Sequence, residues 1–280
     1  MDTLLLGCGL SVAVVAAARS LWSPCGLSML STITPVSERS RQHRYLATAS
    51  WFVLGAVVGG ACLGAGAALL ALLVHLSGMS VGARVVVAVG GALVAVASDV
   101  DLFGFHLPRR PRQVDETWLG RYRPWVYGAG FGWQIGTGLA TYVMTAAVYL
   151  VVLLAALTAR PVEAFAVCVL FGLTRGLAVF VSARATSPAA LRGIHRRLEA
   201  LEPASRVAAL TAESAAGAAL VWSWWGVAPG LVVLAAGAVA SGATLFGARR
   251  ARSCAVGAVA GPAVAAAGVA GPELVGAGRR

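Results

Sequence analysis

The apolar residues of this chain are gathered into seven long segments, and short polar or charged stretches separate them. Each segment is close to or longer than the roughly 20 residues that a helix needs to cross a bilayer. None alternates apolar and polar positions as a membrane β-strand does. The pattern predicts an all-α fold, a polytopic bundle of about seven transmembrane helices. The segments are 4–34, 46–74, 85–103, 125–157, 162–182, 207–225 and 228–247.

Composition supports a chain built for a lipid bilayer. Hydrophobic residues make up 59% and charged residues only 12%, whereas ordinary soluble domains are about half apolar and a quarter charged. The net charge of +11 comes from arginines that cluster where apolar segments stop. This distribution indicates membrane topology rather than a nucleic-acid surface.

The arginines also predict which way the chain crosses the membrane. They are concentrated in the first, third and fifth connections and after the seventh segment, whereas the second and fourth connections hold only Arg84 and Arg160 and the sixth holds none. Connections rich in arginine stay in the cytoplasm. We therefore expect a multi-pass plasma-membrane protein with its N-terminus outside and its C-terminus in the cytoplasm.

The first and fourth segments are too long for straight spans. Each would reach about 45 Å as one helix, against roughly 30 Å of hydrocarbon. Pro24 and Gly26 predict a break in the first, and five glycines predict one in the fourth. These glycines are Gly128, Gly130, Gly132, Gly136 and Gly138.

Breaks at corresponding positions of two halves are typical of a 3+3 inverted repeat, with a site near the breaks. Residues 22–34 align without gaps with 133–145. We therefore predict two three-helix repeats, a seventh helix and an Ala/Gly-rich cytoplasmic tail. Their ranges are 1–123, 124–226, 227–250 and 251–280.

Three motifs, in order, carry a resemblance to a known family. They are Ser23-Pro24-Cys25 in the first segment, Gly104-Phe105-His106-Leu107-Pro108-Arg109-Arg110 after the third, and Gly130-Phe131-Gly132-Trp133 in the fourth. With them, residues 1 to about 226 resemble the CcdA/DsbD family of membrane thiol-disulfide oxidoreductases, which serve cytochrome c biogenesis, and its divergent relatives found with methylamine-utilisation genes. The resemblance implies thiol-redox transfer or protein and cofactor maturation outside the cytoplasm, with thioredoxin-like partners.

The chain departs from that family at the second redox cysteine. Gly136 stands at its place, and Ile135 stands where the family has a proline. Cys25 would then act only through mixed disulfides with partner proteins, and a cysteine introduced at position 136 is expected to restore an internal disulfide. The remaining cysteines lie in apolar or Ala/Gly-rich surroundings, where cysteine usually packs as a small hydrophobe. They are Cys8, Cys62, Cys168 and Cys254.

Cys25 is the candidate catalytic residue, because a proline precedes it and Arg19 lies six residues before it, where a guanidinium stabilises a thiolate. An arginine within a span is costly, so Arg19 should face a cavity or a partner. The residues predicted to support Cys25 are Arg19, Pro24, Trp133, Gly136 and Gly138.

Arg175 and Glu213 form a second candidate site. Both lie about 11 Å inside the inner ends of the fifth and sixth segments, so we predict an intramembrane charge pair that is either a structural link or a substrate or proton site. Asp99 and Asp101 are expected at the interface, with Asp99 as an alternative partner of either arginine. The four histidines lack metal-ligand spacing, and we predict neither a metal nor another cofactor.

Three functions stay open at this stage. The first is thiol-redox transfer through Cys25, and the second is a small-molecule exporter or carrier on the related inverted-repeat fold, with Arg19, Arg175 and Glu213 along its pathway. The third is a non-catalytic membrane assembly factor. The predicted partners are the lipid bilayer and thioredoxin-like proteins, not nucleic acid.

Overall fold

The computed structural model describes residues 1–108, 121–139 and 143–260, with side chains up to Thr244 apart from Ala243. Within these ranges the chain forms α-helices and short 3-10 helices and no strand, so the all-α prediction is confirmed. The α-helices are α1 Asp2–Arg19, α2 Pro24–Thr32, α3 Pro35–Ser40, α4 Tyr45–Leu76, α5 Val81–Asp99, α6 Pro124–Gly136, α7 Ala147–Leu157, α8 Pro161–Leu177, α9 Pro188–Trp225 and α10 Val227–Ala260.

Every predicted apolar segment is helical, but not every one is a single helix. Among the described residues, four helical stretches are long and apolar enough to cross a membrane: Asp2–Trp22, Tyr45–Leu76, Val81–Asp99 and Pro161–Arg184. The fourth predicted segment is divided into α6 and α7, the sixth is the C-terminal half of α9, and the seventh begins α10.

The break in the first segment lies where the sequence predicts it. Ser23 is extended (φ −69°, ψ 155°), and its hydroxyl accepts a hydrogen bond from the Gly26 amide at 3.1 Å. Pro24 takes the first position of α2, where no amide hydrogen is needed. A side chain at Gly26 would overlap the Leu21 carbonyl oxygen. Serine cap, proline and glycine therefore end one helix and start the next within four residues.

The second break follows Gly136. α6 ends there, Gly138 takes a left-handed conformation (φ +66°), and α7 begins at Ala147. A β-carbon is rarely tolerated at this φ, so glycine suits the turn.

Glycines bring α4 and α6 into close contact at the centre of the bundle. A side chain at Gly132 or Gly136 would overlap the carbonyl oxygens of Phe52 and Ala56, and one at Gly55 would overlap that of Ala129. Small residues spaced by four allow this close approach of membrane helices. α4 also packs closely on α8, where a side chain at Gly172 would overlap the same Ala56 carbonyl oxygen. α4 is therefore the central helix.

α4 packs on α6 and α8, α1 on α7, α8 and α9, and α5 on α7 and α9. In the predicted repeat, α1 corresponds to α6, α4 to α8 and α5 to α9. The α4–α6 contact then corresponds to α8–α1, but the counterpart of α1–α9 would be a contact between α6 and α5, which is not among these contacts. The division into two repeats stays a prediction.

The arginine-poor connections meet at one end of the bundle. Arg84, at the start of α5, donates from Nη1 to Asp2 at 3.2 Å and to the carbonyl oxygens of Leu157 and Thr158 at 3.2 and 3.3 Å. Arg160 bonds Glu163 at 2.7 Å, and this hydrogen bond raises the pKa of Arg160. The N-terminus and the turns after α4 and α7 are thus joined by ion pairs.

Arginine-rich connections meet at the other end. The Trp22 indole donates to the Leu198 carbonyl at 2.8 Å, and the Val36 amide donates to Ala185 at 3.3 Å. The described parts of the first and fifth connections therefore lie together, at the end of the bundle away from the arginine-poor turns.

Two boundaries differ from the prediction. α9 begins at Pro188, so most of the fifth connection is helical, and α10 continues to Ala260, ten residues into the predicted tail. The apolar pattern reveals only the parts of these helices with a hydrophobic composition, whereas Ser187 caps a polar helical turn. The rest of the predicted tail, 261–280, and Arg109, Arg110 and Arg112 lie outside the described residues.

Candidate functional site

A charged cavity of about 240 Å³ lies beside the break in the fourth segment. It forms where the C-terminal ends of α1 and α5 approach α9 and the stretch before α7. Two arginines and three acidic residues contribute to its wall. The lining residues are Arg19, Asp99, Asp101, Met144, Glu202, Arg206, Ala209 and Leu210.

Arg19 closes this cavity on the α1 side. It is 5% exposed, its Nη2 lies 3.1 Å from Glu202 Oε1, and its Nη1 donates to the Ser205 hydroxyl at 2.9 Å. Its guanidinium also lies 5.9 Å from the centre of the Trp22 ring. Arg19 thus faces a cavity and an acidic partner, as an intramembrane arginine requires.

Asp99 joins the cavity to the helix break. Its carboxylate accepts hydrogen bonds from the Thr145 hydroxyl and, at 2.7 Å, from the Ala146 amide, at the start of α7. Asp101 lies further out and pairs with His106 at 2.6 Å. Asp99 lies within electrostatic range of Arg19, so of its two predicted partners it faces Arg19.

Cys25 lies apart from the charged cavity, in an apolar cluster. It is 1% exposed and packs with Met29, Phe52 and Ile135 among others. It is the second residue of α2, at the positive end of the helix dipole. Arg175 lies within electrostatic range of Cys25. Arg19 bonds Glu202 and Ser205 of α9, so its predicted support of Cys25 stays a prediction.

The fourth-segment residues predicted to support Cys25 are only partly near it. Gly136 is packed against α4, and Trp133 is 44% exposed and donates to the Cys62 sulfur at 3.5 Å. Ile135 belongs to the Cys25 cluster. Trp133 therefore faces away from Cys25, and the tight contact of Gly136 with Ala56 argues against the expected disulfide at position 136.

Arg175 and Glu213 do not form the predicted ion pair within the described chain. Arg175 donates to the Ile135 carbonyl at 2.7 Å and lies over the Phe171 ring, 5.5 Å from its centre. Glu213 faces α5 and α10 instead. Depth along two helices does not determine the direction in which each side chain points, and α8 packs on α4 whereas α9 packs on α5 and α10.

Glu38 is a buried acid that the sequence did not single out. Its side chain is fully buried and accepts hydrogen bonds from Tyr127 at 2.7 and 2.9 Å and from Thr48 at 2.6 Å, while Arg41 lies 3.4 Å away. It connects α3, α4 and α6 near the arginine-rich end. Its position in an arginine-rich connection concealed it, because acids there are normally exposed.

Comparison with known proteins relates the chain to methylamine utilization proteins. It is similar to the methylamine utilization protein MauF of Paracoccus denitrificans (33% identity over 183 residues, 62% of each chain), of Paracoccus versutus (32% over 166 residues, 58% of this chain and 60% of the relative) and of Methylophilus methylotrophus (30% over 191 residues, 65% and 64%). The chain spans less than two thirds of the length of each.

No family model matches the chain, and no solved structure matches it significantly. The matches support the methylamine-utilisation side of the resemblance and do not support membership of the CcdA/DsbD family.

Proposed function

We propose that the chain is a multi-pass membrane component of methylamine utilisation and that its working site is the charged cavity lined by Arg19. The names of its relatives, methylamine utilization proteins, support a role in that process, and its long apolar helices support a location in the membrane. The observation that carries the site is the ion pair of Arg19 with Glu202 inside a cavity next to the broken fourth segment.

Such a cavity suits a small charged solute. Buried charges in a membrane bundle are costly and usually lie on a binding site or pathway, and interrupted helices are where inverted-repeat carriers bind their substrates. Arg19 and Arg206 offer donors to an anionic group, and Glu202 and Asp101 offer acceptors to a cationic one. We favour the carrier function over redox transfer because the charged groups gather here, whereas Cys25 is enclosed by apolar side chains.

The test is complementation in the host. Deletion of the gene should abolish growth on methylamine and leave growth on succinate unchanged. Arg19→Gln and Glu202→Gln should fail to restore growth although their membrane abundance is normal, whereas Arg192→Gln, an exposed arginine of the same helix as Glu202, should restore it. Full growth with both cavity variants would refute the cavity as the working site.

Thiol exchange at Cys25 is the second candidate function, with a role in maturation outside the cytoplasm. Its support is the position of Cys25 at the start of α2, directly after Pro24 at the helix break, with Arg175 as a nearby cation. In the reaction, the Cys25 thiolate attacks the disulfide of a thioredoxin-like partner, forms a mixed disulfide and releases one partner thiolate.

A trapping experiment separates the two functions. A variant without Cys8, Cys62, Cys168 and Cys254 should trap a thioredoxin-like partner that lacks its resolving cysteine and whose remaining cysteine carries thionitrobenzoate as a mixed disulfide, because Cys25 then displaces the thionitrobenzoate anion. Cys25→Ser in the otherwise unchanged chain should trap none. If Cys25→Ser traps the partner equally well, or restores full growth on methylamine, thiol exchange is excluded. Growth with the cavity variants and with Cys25→Ser together would favour a non-catalytic assembly role.

A further inference from the structure

An apolar groove of about 670 Å³ runs between α5, α9 and α10, away from the charged cavity. Ala92 and Val96 form part of one wall, and Val233 and Ala236 form part of the other. Leu93 and Val239 at its edges are 48% and 74% exposed, so the groove opens sideways, towards the lipid in a membrane.

One acid lies at the bottom of this groove. Glu213 lines the groove, yet its side chain is fully buried, and neither carboxyl oxygen has a hydrogen-bond partner in the part of the chain that the structure describes. The hydroxyls of Ser214 and Ser241, on α9 and α10, are also without partners there. The ionisable group within electrostatic range of Glu213 is Asp99, another acid.

Buried polar groups without partners are rare, because each loses its hydrogen bonds to water and gains none. Two of them, Glu213 and Ser214, line this one groove and indicate that a ligand supplies the missing partners. A metal ion is a poor fit, because hard cations take six or more oxygen ligands and the groove lining offers one carboxyl group and one hydroxyl among apolar side chains.

We propose that the groove binds a primary amine with a short apolar chain, its nitrogen on Glu213 and its chain along α5 and α10. The neutral amine enters from the lipid and accepts the proton of the Glu213 carboxyl group. The resulting ammonium and carboxylate form a hydrogen-bonded pair with no net charge, which a buried site tolerates. The remaining ammonium hydrogens are available to the Ser214 hydroxyl in the same groove.

Equilibrium binding of radiolabelled n-hexylamine to the full chain in lipid nanodiscs tests this proposal, with n-hexanol as the neutral probe of the same length. The amine should compete at least about tenfold more strongly than the alcohol, because a charge-assisted hydrogen bond contributes that much. Glu213→Gln should remove this preference, and Ala236→Phe, which fills the groove and leaves Glu213 in place, should weaken both probes. Glu199→Gln, on the same helix, is the matched control and should leave both affinities unchanged.

Equal competition by amine and alcohol in the wild-type chain would overturn the proposal, and so would unchanged amine binding in either groove variant. If Glu213→Gln fails to fold, the comparison of amine with alcohol in the wild-type chain and the amine affinity of Ala236→Phe still test the proposal. The proposal does not rest on the charged cavity, so loss of growth with the cavity variants and loss of amine binding with the groove variants are separate results.

Discussion

At the scale of single residues, Gly136 shows how one position can be read in two ways. By resemblance it is the place of a missing cysteine, and in the structure it is a contact point where the backbone of α4 leaves no space for a β-carbon. The motif predicts the helix break and the position of Cys25 correctly, because proline and a serine cap act locally. It could not predict which helix would approach Gly136.

We predict that Gly136→Ala lowers the free energy of unfolding by about 1–3 kcal/mol, the usual cost of overpacking. The added methyl group would overlap the Ala56 carbonyl oxygen, which belongs to a rigid helix. Thermal unfolding in detergent measures the loss. Gly66→Ala, at a glycine with open space around it, is the control and should be neutral or slightly stabilising. Gly136→Cys should behave like Gly136→Ala and form no disulfide with Cys25.

The buried arginines show what pattern analysis misses. The hydropathy pattern places Arg19 and Arg175 correctly within apolar segments, and buried charges need partners. The partners themselves depend on how the helices are rotated about their axes, which no periodicity in these nearly uniformly apolar segments reveals. Arg19 therefore bonds Glu202, and Arg175 bonds a main-chain carbonyl.

At the scale of helices, the start of α7 depends on a contact from α5. The side chain of Ala146, the N-cap residue of α7, makes no capping hydrogen bond. The Asp99 carboxylate instead accepts hydrogen bonds from the Ala146 amide and from the Thr145 hydroxyl. The sequence predicted the glycine-rich break but not this cap, because the capping acid lies 47 residues earlier in the chain.

We predict that Asp99→Ala lowers the free energy of unfolding by about 1.5–3 kcal/mol, the range for hydrogen bonds to a charged group. Thr145→Val should lower the free energy of unfolding by less, because the hydrogen bond from the Ala146 amide to Asp99 remains. The double variant should lose less free energy of unfolding than the sum of the two single losses, since both changes remove the hydrogen bond between Thr145 and Asp99. Strictly additive losses in a double-mutant cycle would show that this bond contributes nothing. Thr211→Val, an exposed threonine of α9, is the control.

At the scale of the whole molecule, the arginine pattern and the helix packing group the same arginine-poor turns together. The pattern assigns connections to two sides from charge alone, and the structure joins the arginine-poor turns through Arg84, Asp2 and Thr158. The all-α fold class could be predicted because lipid imposes length and apolarity on each span, whereas the count of about seven spans stays a prediction beside the four long apolar stretches among the described residues. The charged cavity could not be predicted, because residues from α1, α5 and α9, which are far apart in the sequence, line it together.

Labelling at single cysteines tests which end of the bundle faces the cytoplasm. In a variant without native cysteines, Ser77→Cys and Val162→Cys, both at the arginine-poor end, should react with a membrane-impermeant maleimide in intact cells. Ser40→Cys and Ala200→Cys, at the arginine-rich end, should react only after the cells are opened, because arginine-rich connections are retained in the cytoplasm. All four positions are exposed in the structure, so a difference in labelling reports sidedness rather than burial. Labelling of Ser77→Cys and Ser40→Cys from the same side would refute both the predicted crossing of α4 and the orientation of the chain.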